Sequence, residues 1–307
     1  MNKEQYLKNL KTPEGKIDVV IDTDTYNEVD DQYAVSYLLR SKEKLNTVAL
    51  YAAPFFNEKS SSPADGMEKS YNEILKVLDL LNETSLKTSV FKGSKEYLKD
   101  EKTPVISDAA NDLAERAKKY SPEHPLYVVA IGAITNVASA LLIDPSIAEN
   151  LVIVWLGGHA HHWCDTAGFN VRQDVAAARV VMSSPAPFVQ LPGMGVVSAF
   201  TVSGPELEYW LRGKNKLCDY LIDRTIEEAE VYAKGLPWTR IIWDVTAVAW
   251  LVNENNAFMY STIMPVRLPG YDLQYEKEID KMMCYVHHIN RDTLMGDLFK
   301  KLSLHDT

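Results

Sequence analysis

Cysteine is scarce in this chain. Cys164, Cys218 and Cys284 are the only three in 307 residues, and they lie far apart. An odd, scattered set builds no disulfide framework and no cysteine-based zinc site, and it suits a reducing compartment. Basic residues are outnumbered: 32 Lys and Arg stand against 42 Asp and Glu, for a net charge of −10. That balance argues against a nucleic-acid-binding surface. No apolar run approaches the roughly 18 residues of a membrane-spanning helix. The start, Met1-Asn2-Lys3-Glu4-Gln5-Tyr6, lacks the apolar core of a signal peptide. The expectation is a soluble, cytoplasmic protein with neither nucleic acid nor membrane as a partner. No internal repeat, low-complexity tract or linker interrupts the chain, so residues 1–307 read as a single domain.

Apolar residues, in contrast, make up 46% of the chain, enough for a sizeable core. They form short continuous runs at 17–21, 47–52, 126–131, 151–156 and 188–191, which read as strands buried on both faces. Helical periodicity fills the intervals, at 30–40, 67–82, 109–119 (capped by Asp108), 137–143, 174–183 and 205–235. Residues 60–66 read as a Ser/Pro/Gly turn. A strand-like 282–287 precedes a last helix from Arg291. The alternation predicts an α/β fold: one domain with a mostly parallel, Rossmann-like central sheet flanked by helices. Ligands in such folds bind beyond the C-terminal ends of the strands. The polar clusters at 22–31, 53–57, 132–136, 157–170 and 243–244 all follow strands or precede helices there, so they read as one site.

The first cluster is the densest. After Val19-Val20-Ile21 come Asp22, Asp24, Asp30 and Asp31, four aspartates within ten residues. Asp22 and Asp24 point to one face of an extended backbone. Asp30 and Asp31 fit the first turn of a helix, where free N–H groups favour negative charge. Four like charges so close call for a cation, and all-oxygen ligands favour Ca²⁺ or Mg²⁺.

Asp22-Thr23-Asp24-Thr25 matches the opening of a haloacid-dehalogenase-type phosphohydrolase, with Asp22 as nucleophile and Asp24 as acid. That reading needs a later strand ending in Gly-Asp. Gly296-Asp297 sits in a helical tail instead, and Asp30-Asp31 would have no role.

Most of the chain more closely resembles the inosine–uridine-preferring nucleoside hydrolase family. The strand, the Asp-x-Asp and the helix-start Asp-Asp match its first motif, with a spacer about two residues longer, so the loop 25–29 must bulge. Gly132-Ala133-Ile134-Thr135-Asn136, Gly157-Gly158, Ala167-Gly168-Phe169-Asn170 and Trp243-Asp244 are similar to its later motifs. The resemblance implies a calcium-dependent hydrolase that cleaves the N-glycosidic bond of a ribonucleoside or related N-ribosyl compound, in purine or pyrimidine salvage, assembled as a dimer or tetramer. It implies Ca²⁺ bound by Asp24, Asp31, the Thr135 carbonyl and Asp244. Asp24 would take the proton of the attacking water. Asp30, Asn57, Asn170 and Asp22 would bind substrate. Three departures stand out: the absence of a His-Gly-x-x-Gly-like segment between Val90 and Asp108, and the residues at 243 and 168. Trp243 replaces a histidine that serves as leaving-group acid in many members, which points to a stacked aromatic base. Gly168 replaces a glutamate that grips the sugar near its 5′-hydroxyl, so the substrate is expected to be altered at that end. A histidine of the 159/161/162 group, with His162 the candidate, would supply the acid or face the 5′ end. The reading from another class is a non-catalytic nucleoside- or sugar-binding protein that keeps the metal pocket.

Overall fold

A strand with apolar side chains on both faces needs helices on both sides, and that requirement organises this molecule. The computed structural model describes residues 1–304. In chain order the elements are α1 (Lys3–Asn9), β1 (Ile17–Thr23), α2 (Val29–Leu39), β2 (Leu45–Ala52), α3 (Pro63–Leu80), β3 (Val90–Lys92), α4 (Asp108–Ala117), β4 (Leu126–Ala130), α5 (Thr135–Ile143), β5 (Leu151–Leu156), α6 (Phe169–Gln173), α7 (Val175–Ser183), β6 (Phe188–Leu191), β7 (Thr201–Ser203), α8 (Gly204–Trp210), α9 (Lys216–Ala233), β8 (Thr239–Ile241), α10 (Val245–Leu251), β9 (Met259–Pro269), β10 (Tyr275–Ile289) and α11 (Arg291–Leu302). No helix among the described residues is long and apolar enough to cross a membrane.

Eight strands form one sheet in the order β3-β2-β1-β4-β5-β6-β10-β9. Every pair is parallel except β10–β9, a long antiparallel hairpin at the edge. Strand β1 illustrates the two-sided core. Val19 and Ile21 pack with α2, α3, α9, α10 and α11 residues, and Val20 packs with α4, α5 and α7 residues on the opposite face. Strand β4 repeats the alternation, Tyr127 and Val129 to one side, Val128 and Ala130 to the other. The fold is a single α/β domain of the expected kind.

The strand order reverses between β1 and β4. From β1 the chain builds outward through β2 and β3, then returns to the other side of β1. Loops leaving two strands at such a point diverge and open a crevice at their C-terminal ends. Asp24 follows β1 there, Ile131 follows β4, and the 157–170 segment follows β5.

Several expected elements shift. Helix α3 begins inside the expected turn, because Ser62 accepts the Asp65 N–H and Pro63 suits the first helical position. Ser107, not Asp108, caps α4, accepting from the Ala110 N–H at 3.1 Å. The expected 205–235 helix is two, α8 and α9, the second capped by Asn215. The hairpin partner β9 and the short α6 had no clear sequence pattern.

Asp174 carries an unusual share of the connections near the crevice. One oxygen caps α7 through the Ala177 N–H at 2.9 Å. The other accepts the Thr135 hydroxyl at 2.7 Å and the Leu98 N–H at 2.9 Å. It thus ties together α5, α7 and the loop after β3. Asp174→Ala should therefore lower the unfolding free energy by about 2 kcal/mol, combining a lost cap with stranded buried donors. Urea denaturation tests this, and a change under about 0.5 kcal/mol would show the ties to be redundant.

Candidate active site

Four buried aspartates lie in the crevice, in the lining of a cavity of about 520 Å³. Its lining includes Asp24, Asp30 and Asp31 on one side and Asp244 on the other, each at most 4% exposed. Asp24 comes from the end of β1. Asp30 and Asp31 occupy the first turn of α2, whose dipole favours them. Asp244 sits immediately before α10.

Close packing brings these groups in. A β-carbon on Gly132 would lie 2.8 Å from Asp24 Oδ1, so only glycine lets the β4 loop pass beside that carboxylate. Asp31 Oδ1 accepts the Thr23 hydroxyl at 2.6 Å. Both oxygens of Asp24 and Oδ1 of Asp30 are buried without a hydrogen-bond partner. Oxygen atoms of Asp30, Asp31 and Asp244 lie within 4.8 Å of one another. Burial, then mutual repulsion, drives the Asp31 and Asp244 carboxyls far above the ordinary range. Burial is also the largest cause for Asp24, with repulsion from Asp30 adding to it. Asp30 is raised to about 7, with Arg240 opposing the rise. Clustered, unpartnered, buried carboxylates are the donor set of a hard divalent cation.

The expected site residues separate into two groups. Asp24, Asp30, Asp31, Asp244, Trp243 and Asn170 line the cavity. The Asn170 Nδ2 donates to the carbonyls of Ile131 and Leu156, both at 2.9 Å, bracing the ends of β4 and β5. Asp22, Thr135, Asn57 and His162 are outside the lining. Asp22 is wholly buried, accepts from Asn136 Nδ2 at 2.8 Å, and its carboxyl is raised to about 7 by burial. Thr135 is buried in the first turn of α5, with its hydroxyl on Asp174. Asn57 Nδ2 donates to Asn27 Oδ1 at 2.7 Å and so reaches the cavity only through Asn27. His162 is exposed; His159 is the histidine in the lining.

A turn closes the 25–29 loop: the Asn27 N–H donates to the Asp24 carbonyl at 2.7 Å. Asn27 and Glu28 of this loop line the cavity. Sequence reasoning missed both, along with Glu228, which accepts from Lys59 at 2.7 Å and stands 3.4 Å from Arg240. Glu228 lies on α9, about 200 residues from the aspartate motif, and no local pattern announces it.

The arrangement matches a known group. Residues 19–293 fit the model of the inosine-uridine preferring nucleoside hydrolases, and the chain belongs to that family of N-glycosyl hydrolases. A probable uridine nucleosidase 2 from Arabidopsis thaliana is 26% identical over 66% of this chain and 67% of its own length. Two solved structures share the fold. The plant nucleoside hydrolase PpNRh1 superposes with a TM-score of 0.74 at 18% identity, covering 94% of this chain and 99% of its own. The purine-preferring ribonucleoside hydrolase of Gardnerella vaginalis also gives 0.74, at 21% identity, covering 93% and 98%.

The buried carboxyls predict a pH-dependent response to metal. A raised folded-state pKa stabilises the fold while the group is protonated, and that contribution fades as pH climbs from the unfolded value of 3.8 through about 7. Metal-free protein should lose Tm over this window, whereas Ca²⁺ should offset the loss. Melting curves with Ca²⁺ and with EDTA should diverge increasingly from about pH 5 to pH 8. Coincident curves at pH 8 would remove the cation from this pocket.

Proposed function

We propose that the protein is a calcium-dependent hydrolase of ribonucleosides or closely related N-ribosyl compounds. One observation carries the reading: the buried carboxylates of Asp24, Asp30, Asp31 and Asp244, with the oxygens of Asp24 and Oδ1 of Asp30 unpartnered, line one cavity together with Trp243. Asp31 and Asp244 would hold the cation, joined by Asp24 and, as the family resemblance implies, by the Thr135 carbonyl. When bound, Ca²⁺ supplies positive charge that lowers the pKa of the attacking water. Six to eight oxygen ligands suit this ion, leaving room for a ribose diol.

Asp30 accepts a hydrogen bond from the 2′-hydroxyl. Arg240, 4.0 Å from the Asp30 carboxylate, favours its ionised form for that role. Asn170 offers its side-chain oxygen to the sugar. Asp24 takes one proton from water as the oxygen bonds to C1′ and the C1′–N bond breaks. Positive charge developing on the ribosyl ring is stabilised by the surrounding carboxylates. The indole of Trp243 has no acidic proton for this step. It stacks on a flat base and favours the departing, charge-delocalised form, which takes its proton from solvent.

The haloacid-dehalogenase reading is set aside. The cavity lining contains no lysine, and Asp297 lies on α11, where it accepts a hydrogen bond from the Tyr37 hydroxyl. A binding-only protein remains the contrasting outcome. Asp24→Asn is expected to cut kcat for inosine by about 10³-fold or more, consistent with loss of a general base together with a metal ligand. Calorimetric binding of ribose should persist. Comparable turnover by wild type and variant would sink the role of Asp24. Trp243→Ala should slow purine nucleosides by at least about tenfold and lower their kcat more than it raises KM. A change confined to KM would reduce Trp243 to a binding surface.

A further inference from the structure

Positive charge is unevenly committed around the cavity. Arg240 is engaged on one side, with Glu28 at 3.0 Å, Glu228 at 3.4 Å and Asp30 at 4.0 Å. Arg172 lines the same cavity from α6, and no carboxylate pairs with it among the described residues. Its guanidinium rests over the Phe169 ring, 5.2 Å from the centroid, and remains exposed. A guanidinium held on an aromatic face keeps its N–H fork free for an anion.

Gly168 and His159 stand beside it in the lining. A β-carbon on Gly168 would lie 3.4 Å from Gly158 N, Gly158 O and His159 Cε1, in ordinary contact. A longer side chain there would enter the space against the imidazole. The backbone conformation of Gly168 does not require glycine, since its φ is −52°. The Met194 N–H donates to His159 Nδ1 at 3.2 Å, which places the proton of the neutral ring on Nε2. Asp165 stands 3.8 Å from that nitrogen, beyond hydrogen-bond reach. Burial holds the imidazole pKa below its usual value, with Asp165 opposing the shift and the nearby Arg172 charge adding to it.

The position of this wall relative to a ribosyl ligand follows from stereochemistry. In a β-nucleoside the 2′ and 3′ hydroxyls leave one face of the sugar, while the base and C5′ leave the other. A diol directed at the aspartate floor therefore turns the base and C5′ toward the opposite wall. Gly193 joins the two halves of that wall: a β-carbon there would lie 3.7 Å from the Trp243 ring and 3.5 Å from His159 Nδ1. With the base on Trp243, C5′ faces the Gly168, His159 and Arg172 side.

We propose that this side is an anion subsite, in which Arg172 and the Nε2–H of His159 receive a phosphate ester on C5′. The substrate class is then 5′-phosphorylated N-ribosyl compounds, of which a nucleoside 5′-monophosphate is the simplest. The assignment rests on the proposed placement of the ribose diol on the aspartate floor.

Two readouts separate the subsite from the hydrolase reading. The first is calorimetric titration of ribose and ribose 5-phosphate into the Ca²⁺-loaded protein. Wild type should bind ribose 5-phosphate at least about tenfold tighter than ribose, the scale of a charge-assisted pair. Arg172→Ala should bring that ratio close to one, Arg172→Lys should restore part of it, and Gly168→Glu should abolish it. The second is release of ribose 5-phosphate from inosine 5′-monophosphate against release of ribose from inosine. Wild type should favour the monophosphate in kcat/KM, and Arg172→Ala should lose the preference. A wild-type affinity ratio near one, or a ratio unchanged in Arg172→Ala, overturns the subsite. Calcium-dependent cleavage of inosine without a monophosphate advantage also overturns it and leaves the hydrolase standing. A phosphate preference that depends on Arg172 but comes with no cleavage supports the subsite and removes the hydrolase.

Discussion

Four carboxylates buried together repel one another, and the rest of this structure is arranged around that repulsion. Two unit charges 4 Å apart repel by about 4 kcal/mol at an effective dielectric constant of 20. A buried cavity floor holding Asp24, Asp30, Asp31 and Asp244 needs compensation from several directions. The α2 N-terminus supplies part of it through its dipole. Arg240 supplies another part from outside the floor. What remains uncompensated, the unpartnered oxygens of Asp24 and Asp30, defines the capacity for a cation. The same groups whose mutual repulsion costs stability form the all-oxygen donor set that suits a hard, multiply coordinated ion.

Holding such charges in place requires a rigid surround. The ends of β1, β2, β4 and β5 are stitched by polar side chains from neighbouring elements. Asn136 Nδ2 reaches Asp22 Oδ1 and the Ala52 carbonyl, at 2.8 and 3.2 Å. Its oxygen accepts the Ser94 N–H at 2.7 Å. Asn170 bridges β4 and β5, and Asp174 joins α5 to α7. Asp22 therefore makes sense as a bracing residue: its carboxyl is wholly enclosed and its one bonded oxygen is on Asn136. A braced site keeps donors and charges pointed where charge develops during reaction.

Much of this was legible in the chain. The apolar runs at β1, β2, β4, β5 and β6 named the parallel sheet, because a strand buried on both faces shows no alternation. Asp24 and the Asp30-Asp31 pair named three of the four floor carboxylates, because strand end and helix start are both local features. His162 and Asn57 marked the correct loops but stand outside the cavity lining. Which of three nearby histidines faces the cavity depends on how the 157–170 loop folds against Met194 and Tyr285, contacts more than 30 residues away. Strand β9 went unseen because it is an edge strand with exposed residues along much of its length, and little hydrophobic pattern marks it.

The sequence by itself determined the class of fold, the four aspartates and the chemistry they admit. Strand periodicity, helix-start preference and carboxylate density all act over a few residues, so they can be read without coordinates. Tertiary structure alone decided the rest. It enclosed Asp22 while leaving Asp24 open to the cavity, although the two are separated by a single residue. It brought Glu228 and Asp30 against Arg240, and it left Arg172 without a carboxylate partner among the described residues. These outcomes depend on which side chains from remote segments arrive within a few ångströms of one another. Burial and charge pairing are properties of that three-dimensional neighbourhood, and no local pattern encodes them.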